Sequence, residues 1–150
     1  MIEESAGRRG HIVILRGLPG SGKTTYAKEW IGTNPLKHTR ISKDELRAML
    51  VNGYDPLTEL FVQAARDALI ASCIDHERPV IIDDTNLNPK HIESIKRHFE
   101  WRATIEIVDF TDVALQTCIE RDRARTRPVG EQVIRDMHST YLAEGNARQP

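Results

Sequence analysis

The sequence predicts an α/β domain built on a parallel four-stranded sheet flanked by helices. Short apolar runs alternate along the chain with longer stretches of helical period, the pattern of strands joined by crossover helices. A Gly-rich turn, Gly17 to Thr24, lies between the first apolar run and a helix-forming stretch. With 150 residues, 39% hydrophobic and 29% charged, the chain has the size and balance of one globular core.

Residues 1–10 are polar and charge-mixed and read as a loose leader, residues 11–144 as the domain, and residues 145–150 as a tail. His11 to Arg16 forms the first strand, and a helix follows the Gly-rich turn. The second strand, His38 to Ile41, meets Ser42 with Glu45 three residues on, an N-cap and capping box that opens a helix through Leu50. Pro56 starts a longer helix whose Leu60, Ala64, Ala68, Ile70 and Ile74 are placed toward the core.

Pro79 to Asp84 is the third strand, and Asn88-Pro89 begins a helix running to about Phe99. Ala103 to Phe110 is the fourth strand. Asp112 is placed as the cap of the next helix, which carries Leu115 and Ile119 on one side and ends in the basic stretch Arg121 to Arg127, stopped by Pro128. An amphipathic helix from Glu131 to Ala143 closes the domain.

A formal net charge of −1 provides no global attraction to a polyanion, so any nucleic-acid grip must come from a local basic cluster and a short footprint. Cys73 and Cys118 have no CxxC spacing and read as buried thiols of an intracellular, reducing compartment. The apolar runs fall far short of a membrane span, and the six histidines show no zinc-binding spacing. Trp30, Trp101 and the three tyrosines are placed as packing residues.

The strongest chemical signal is the turn itself. Gly17-Leu-Pro-Gly-Ser-Gly-Lys23-Thr24 matches GxxxxGK[ST], placed after a strand and before a helix. Gly17, Gly20 and Gly22 let the backbone fold around an anion, Ser21 completes the loop, and the following helix adds the field of its N-terminus. Lys23 reaches the terminal phosphates of ATP, and the Thr24 hydroxyl takes one position on Mg²⁺. Switches, motors and kinases all carry this loop, so the acceptor side must decide the reaction.

Strand two ends in Ser-Lys-Asp44-Glu-Leu-Arg47, with Asp44 and Arg47 on one helix face at the sheet edge where ligands sit. Asp44 could take the proton of an attacking hydroxyl and Arg47 could clamp an acidic group of the acceptor. The plain alternative is that Asp44 favours the helix N-terminus and Arg47 is solvated. Of Asp83 and Asp84 at the end of strand three, alternation points only one at the metal and acceptor. Among Arg121, Arg123, Arg125 and Arg127, one or two could fold over ATP, and at least two are accounted for as surface charge.

Together the Gly17–Thr24 loop, Ser-Lys-Asp44-Glu-Leu-Arg47, Asp84-Thr-Asn-Leu-Asn-Pro89 and Glu120-Arg-Asp-Arg-Ala-Arg125 resemble the bacteriophage-type polynucleotide kinase domain within the small P-loop kinases. The resemblance implies a P-loop kinase fold with an arginine-rich lid, transferring the γ-phosphate of ATP, with Mg²⁺, to the 5′-hydroxyl end of DNA or RNA. It implies Asp44 as general base, Arg47 on the acceptor's 3′-phosphate, and Asp84 as the essential carboxylate of strand three, partnered by Arg47 or by metal-bound water, with Thr85 beside it. It also implies Arg125 on the donor phosphates with Arg121 in support. No Asp-x-Asp-Gly-Thr motif is present, so removal of 3′-phosphates is not expected of this chain. Two other readings remain: a P-loop kinase of a small acceptor such as a sugar acid, nucleoside or antibiotic, and an ATP-binding regulator without turnover.

Overall fold

The computed structural model describes residues 10–143. Four strands, β1 (Gly10–Arg16), β2 (Thr39–Ile41), β3 (Val80–Ile82) and β4 (Ala103–Asp109), form one parallel sheet in the order β2-β3-β1-β4. Six helices connect and follow them: α1 (Lys23–Thr33), α2 (Lys43–Leu50), α3 (Pro56–Asp75), α4 (Pro89–Phe99), α5 (Leu115–Arg123) and α6 (Glu131–Tyr141). The predicted tail and most of the predicted leader lie outside the described residues, and Gly10 belongs to β1.

β1 lies between β3 and β4 with both of its faces covered, which explains its uninterrupted apolar run. Its pleat sends Ile12 and Ile14 into a core shared with α2, α3 and α4, and sends Val13 and Leu15 to the opposite face against Ala27, Tyr26 and Trp30 of α1. A third cluster joins Leu18 of the Gly-rich loop and Leu87 to Cys118, Ile119 and Ile134, so α5 and α6 are bolted to the loop. Both cysteines are buried free thiols.

Ser42 caps α2 as predicted, accepting from the Glu45 N–H, but the Glu45 carboxylate turns to Arg40 and does not close the box. Asn88 caps α4 with Pro89 at its first turn.

Four expectations are corrected. In α3 the buried stripe is Val62, Arg66, Ile70, Cys73 and Ile74, while Leu60, Ala64 and Ala68 are exposed. The two stripes share the helical period, and the buried arginine disguises the true one. α5 begins after Ala114 with no side-chain cap, leaving Asp112 in the preceding turn. It stops at Arg123, so Arg125 and Arg127 sit on the turn that follows. Trp101 and Tyr54 are exposed and are not packing residues, whereas Trp30 stacks on His38.

Candidate active site

The sheet's carboxyl edge carries the site. The Gly17 N–H donates to the Thr85 carbonyl at 2.9 Å, tying the loop after β1 to the loop after β3. Gly20 has a φ of +82°, and a Cβ there would run into the Cys118 carbonyl of α5, so only glycine allows this approach. Gly22, with φ +103°, is the left-handed N-cap of α1.

Lys23 opens α1 and is buried. Its ammonium donates to the Leu18 carbonyl at 2.7 Å, with Ser21 Oγ at 3.5 Å. Burial lowers its pKa from 10.5 to about 8; the Asp83 charge opposes that shift and Arg125 adds to it. A buried, desolvated ammonium on the Gly-rich loop is suited to receive an anion.

Thr24 Oγ1 donates to Asp83 Oδ2 at 2.9 Å, and Arg40 holds the same oxygen through Nε at 2.8 Å and Nη2 at 2.7 Å. Mg²⁺ selects hard oxygen ligands and keeps several positions for phosphate and water. Thr24 and Asp83 suit that demand. No group of three or more His, Cys, Asp or Glu among the described residues could hold a metal alone, so an ion here would complete its shell from nucleotide phosphates.

The two carboxylates after β3 diverge as alternation requires. Asp84 Oδ1 accepts the Lys43 backbone N–H at 2.8 Å at the start of α2, and Oδ2 is enclosed without a partner. Burial pushes the Asp84 pKa up, partly countered by Lys43. Arg47 is engaged with Asp44 and Glu59 and does not partner Asp84, and the carboxylate beside Thr24 is Asp83. Asn86 is buried at a φ of +47° and donates to the Leu15 carbonyl at 2.7 Å, which makes it a brace for the loop.

Asp44 lies in the first turn of α2 with its side chain 88% exposed, accepting from Arg47 Nη1 at 2.7 Å. Glu59 of α3 takes the other edge of Arg47, from Nε at 2.9 Å and Nη2 at 2.7 Å. This bidentate pair raises the Arg47 pKa further and lowers that of Glu59.

Two clefts meet here. One, of about 680 Å³, is lined by Lys23, Thr24, Asp83, Arg125 and Arg127; the other, of about 400 Å³, by Lys43, Arg47, Tyr54, Glu59 and His91. Asp44, Asp84 and Thr85 line both.

The basic stretch divides. Arg121 reaches the Gly20 carbonyl at 3.4 Å, Arg123 pairs with Glu131, and Arg125 and Arg127 face the larger cleft. Asp122, buried, accepts the Val129 and Gly130 N–H groups at 2.9 Å each and fixes the turn that carries Arg125. Sequence reasoning missed Arg40, Asp122, Lys43, Glu59 and His91, and it weighed Asp83 but set Asp84 above it. Asp122 and Lys43 stood inside recognised segments, and β-strand alternation offered Asp83; Glu59 and His91 carried no local signal.

Residues 12–143 match the AAA domain family. The chain is 26% identical to the putative bifunctional polynucleotide kinase/RNA ligase of Autographa californica nuclear polyhedrosis virus, over 90% of this chain and 21% of that protein. A chain in the Pnkp1/Rnl/Hen1 complex superposes with a TM-score of 0.68 at 27% identity, covering 75% of this chain and 38% of the other. A gluconokinase from Sinorhizobium meliloti 1021 shares the fold, with a TM-score of 0.62 at 15% identity, covering 95% of this chain and 86% of the other. The chain thus spans about a fifth of the viral relative.

Proposed function

We propose that this chain, which belongs to the AAA domain family as a P-loop kinase domain, phosphorylates the 5′-hydroxyl end of DNA or RNA with the γ-phosphate of ATP. The observation that carries this reading is the meeting of the two clefts at Asp44, Asp84 and Thr85, with phosphate-binding groups on one side and an acceptor-sized pocket on the other. The likeness to the viral protein named as a putative polynucleotide kinase/RNA ligase, and to a chain of the Pnkp1/Rnl/Hen1 complex, supports the choice of acceptor.

In this mechanism the loop from Gly17 to Thr24 receives the donor phosphates, with Lys23 as their fixed charge. Thr24 and Asp83 would hold Mg²⁺, which when bound neutralises phosphate charge. Arg125, on the turn braced by Asp122, lines the larger cleft with Lys23 and stabilises charge on the transferred phosphoryl group, with Arg121 supporting the loop. Asp44 receives the proton of the 5′-hydroxyl, its orientation held by Arg47.

One observation favours a second reading, a small acceptor: Arg47 is occupied by Glu59 and Asp44 and would have to release a partner to hold a 3′-phosphate. The deciding experiment is transfer of labelled γ-phosphate from ATP, with Mg²⁺, to a short oligonucleotide ending in a 5′-hydroxyl, beside one ending in a 5′-phosphate. Label on the first alone is expected. Label on neither, with ATP bound, would overturn the polynucleotide reading and leave the small acceptor.

A further inference from the structure

α3 has two apolar faces, and the described chain covers one of them. The face running from Val62 to Ile74 packs into the core, while Leu57, Leu60, Phe61, Ala64 and Ala68 form a second stripe at helical spacing that lies in solvent. Leu57 is 78% exposed, Leu60 63% and Phe61 55%. A helix that needs only to cover a sheet is polar on its outer face. An exposed apolar stripe three turns long marks an interaction surface instead.

The composition of the stripe narrows what covers it. It carries no charge, and the charged residues of α3 are Glu59, Arg66, Asp67 and Asp75, of which the single cation is buried. A phosphate backbone or an anionic lipid surface calls for exposed lysine or arginine beside the apolar side chains. This helix offers none, so its partner is an apolar protein surface.

The shape of the stripe is complementary to itself. Large side chains occupy its first half and alanines its second. In two copies of α3 running antiparallel about a two-fold axis, Leu57 of one falls opposite Ala68 of the other, and Phe61 opposite Ala64, because both pairs are centred between Val62 and Gln63. Each bulky side chain then meets an alanine, which lets the helices approach closely. The stripe exposes on the order of 400 Å² per copy, and Met49 and Tyr54, exposed on the segment leading into α3, bring two copies to the roughly 1,000 Å² at which specific interfaces begin.

We propose that this face of α3 is a homodimer interface, in which two copies of the chain pack antiparallel with Leu57 against Ala68 and Phe61 against Ala64. At this size the association is reversible and depends on concentration.

Light scattering on the full chain, from about 5 to 200 µM, should show the mass rising from the 17.1 kDa of one chain toward that of two. Ala64→Glu sets a carboxylate against Phe61 of the other copy and is expected to weaken association at least tenfold. The position is exposed in the single chain and glutamate is a good helix former, so circular dichroism and Tm of this variant at low concentration should match the wild type. A wild type that stays a single chain throughout, or a dimer untouched by Ala64→Glu, overturns the proposal.

The register has its own test. Leu57→Cys mixed with Ala68→Cys under mild oxidation should yield a cross-linked pair containing one of each, and Cys73 and Cys118, both buried, do not compete. Neither variant alone should cross-link, since in this packing the two copies of either position lie about 16 Å apart along the axis. Cross-linking of Leu57→Cys to itself, with none in the mixture, would overturn the antiparallel seam.

Discussion

Burial holds the Lys23 ammonium at a pKa of about 8, below the 10.5 of an unfolded lysine. The folded chain therefore binds this proton more weakly than the unfolded one, and the group opposes folding wherever the pH is below the folded value. Stability recovers as the pH rises from about 8 to 10.5. At about 1.4 kcal/mol per pKa unit the penalty at neutral pH is about 3 kcal/mol. Lys23→Met, which also loses the Leu18 hydrogen bond, is expected to stabilise the nucleotide-free protein by about 2 kcal/mol at pH 7. That gain should shrink toward pH 10.5, and phosphoryl transfer should fall at least about a hundredfold. Melts at the two pH values with a transfer assay check all three.

The turn from Ala124 to Gly130 is an element whose position rests on one buried side chain. Asp122 accepts two backbone N–H groups across it, and hydrogen bonds to a charged acceptor contribute about 1.5–3 kcal/mol each. Asp122→Ala is expected to cost about 3 kcal/mol of stability and to raise KM for ATP severalfold, because Arg125 and Arg127 lose their fixed approach to the cleft. Denaturant unfolding and initial rates against ATP concentration would show both; an unchanged KM would mean the arginines hold their place without it. α3 works similarly beside the smaller cleft, bringing Glu59 to Arg47.

Across the whole molecule, charge is nearly balanced at −1 while the cations of the two clefts are concentrated at one sheet edge. A polynucleotide gripped only at its end should therefore show a shallow salt dependence. With one or two phosphates engaged, the slope of log affinity against log salt is expected near −1, at about −0.7 per phosphate for single strands. KM measured from 50 to 300 mM salt, with acceptors of two to twenty nucleotides, tests this. A steep slope that grows with length would reveal a long binding groove outside the clefts. Among the described residues no helix is long and apolar enough to cross a membrane.

Sequence alone determined the sheet-and-helix order and the phosphate loop, because each depends on local dihedral preference or on a period within one segment. It also brought Asp44, Arg47 and Asp84 to one edge, since parallel strands end together. It misjudged the face of α3, where Arg66 interrupts the buried stripe and Leu60, Ala64 and Ala68 look more apolar.

What only the tertiary structure decided were the partners across the chain. Asp83 meets Thr24 over 59 residues, Lys43 meets Asp84 over 41, and Glu59 meets Arg47 over 12. Such contacts depend on strand register and helix rotation together. No pattern within one segment encodes them, because they are settled only when separate elements pack on the same sheet.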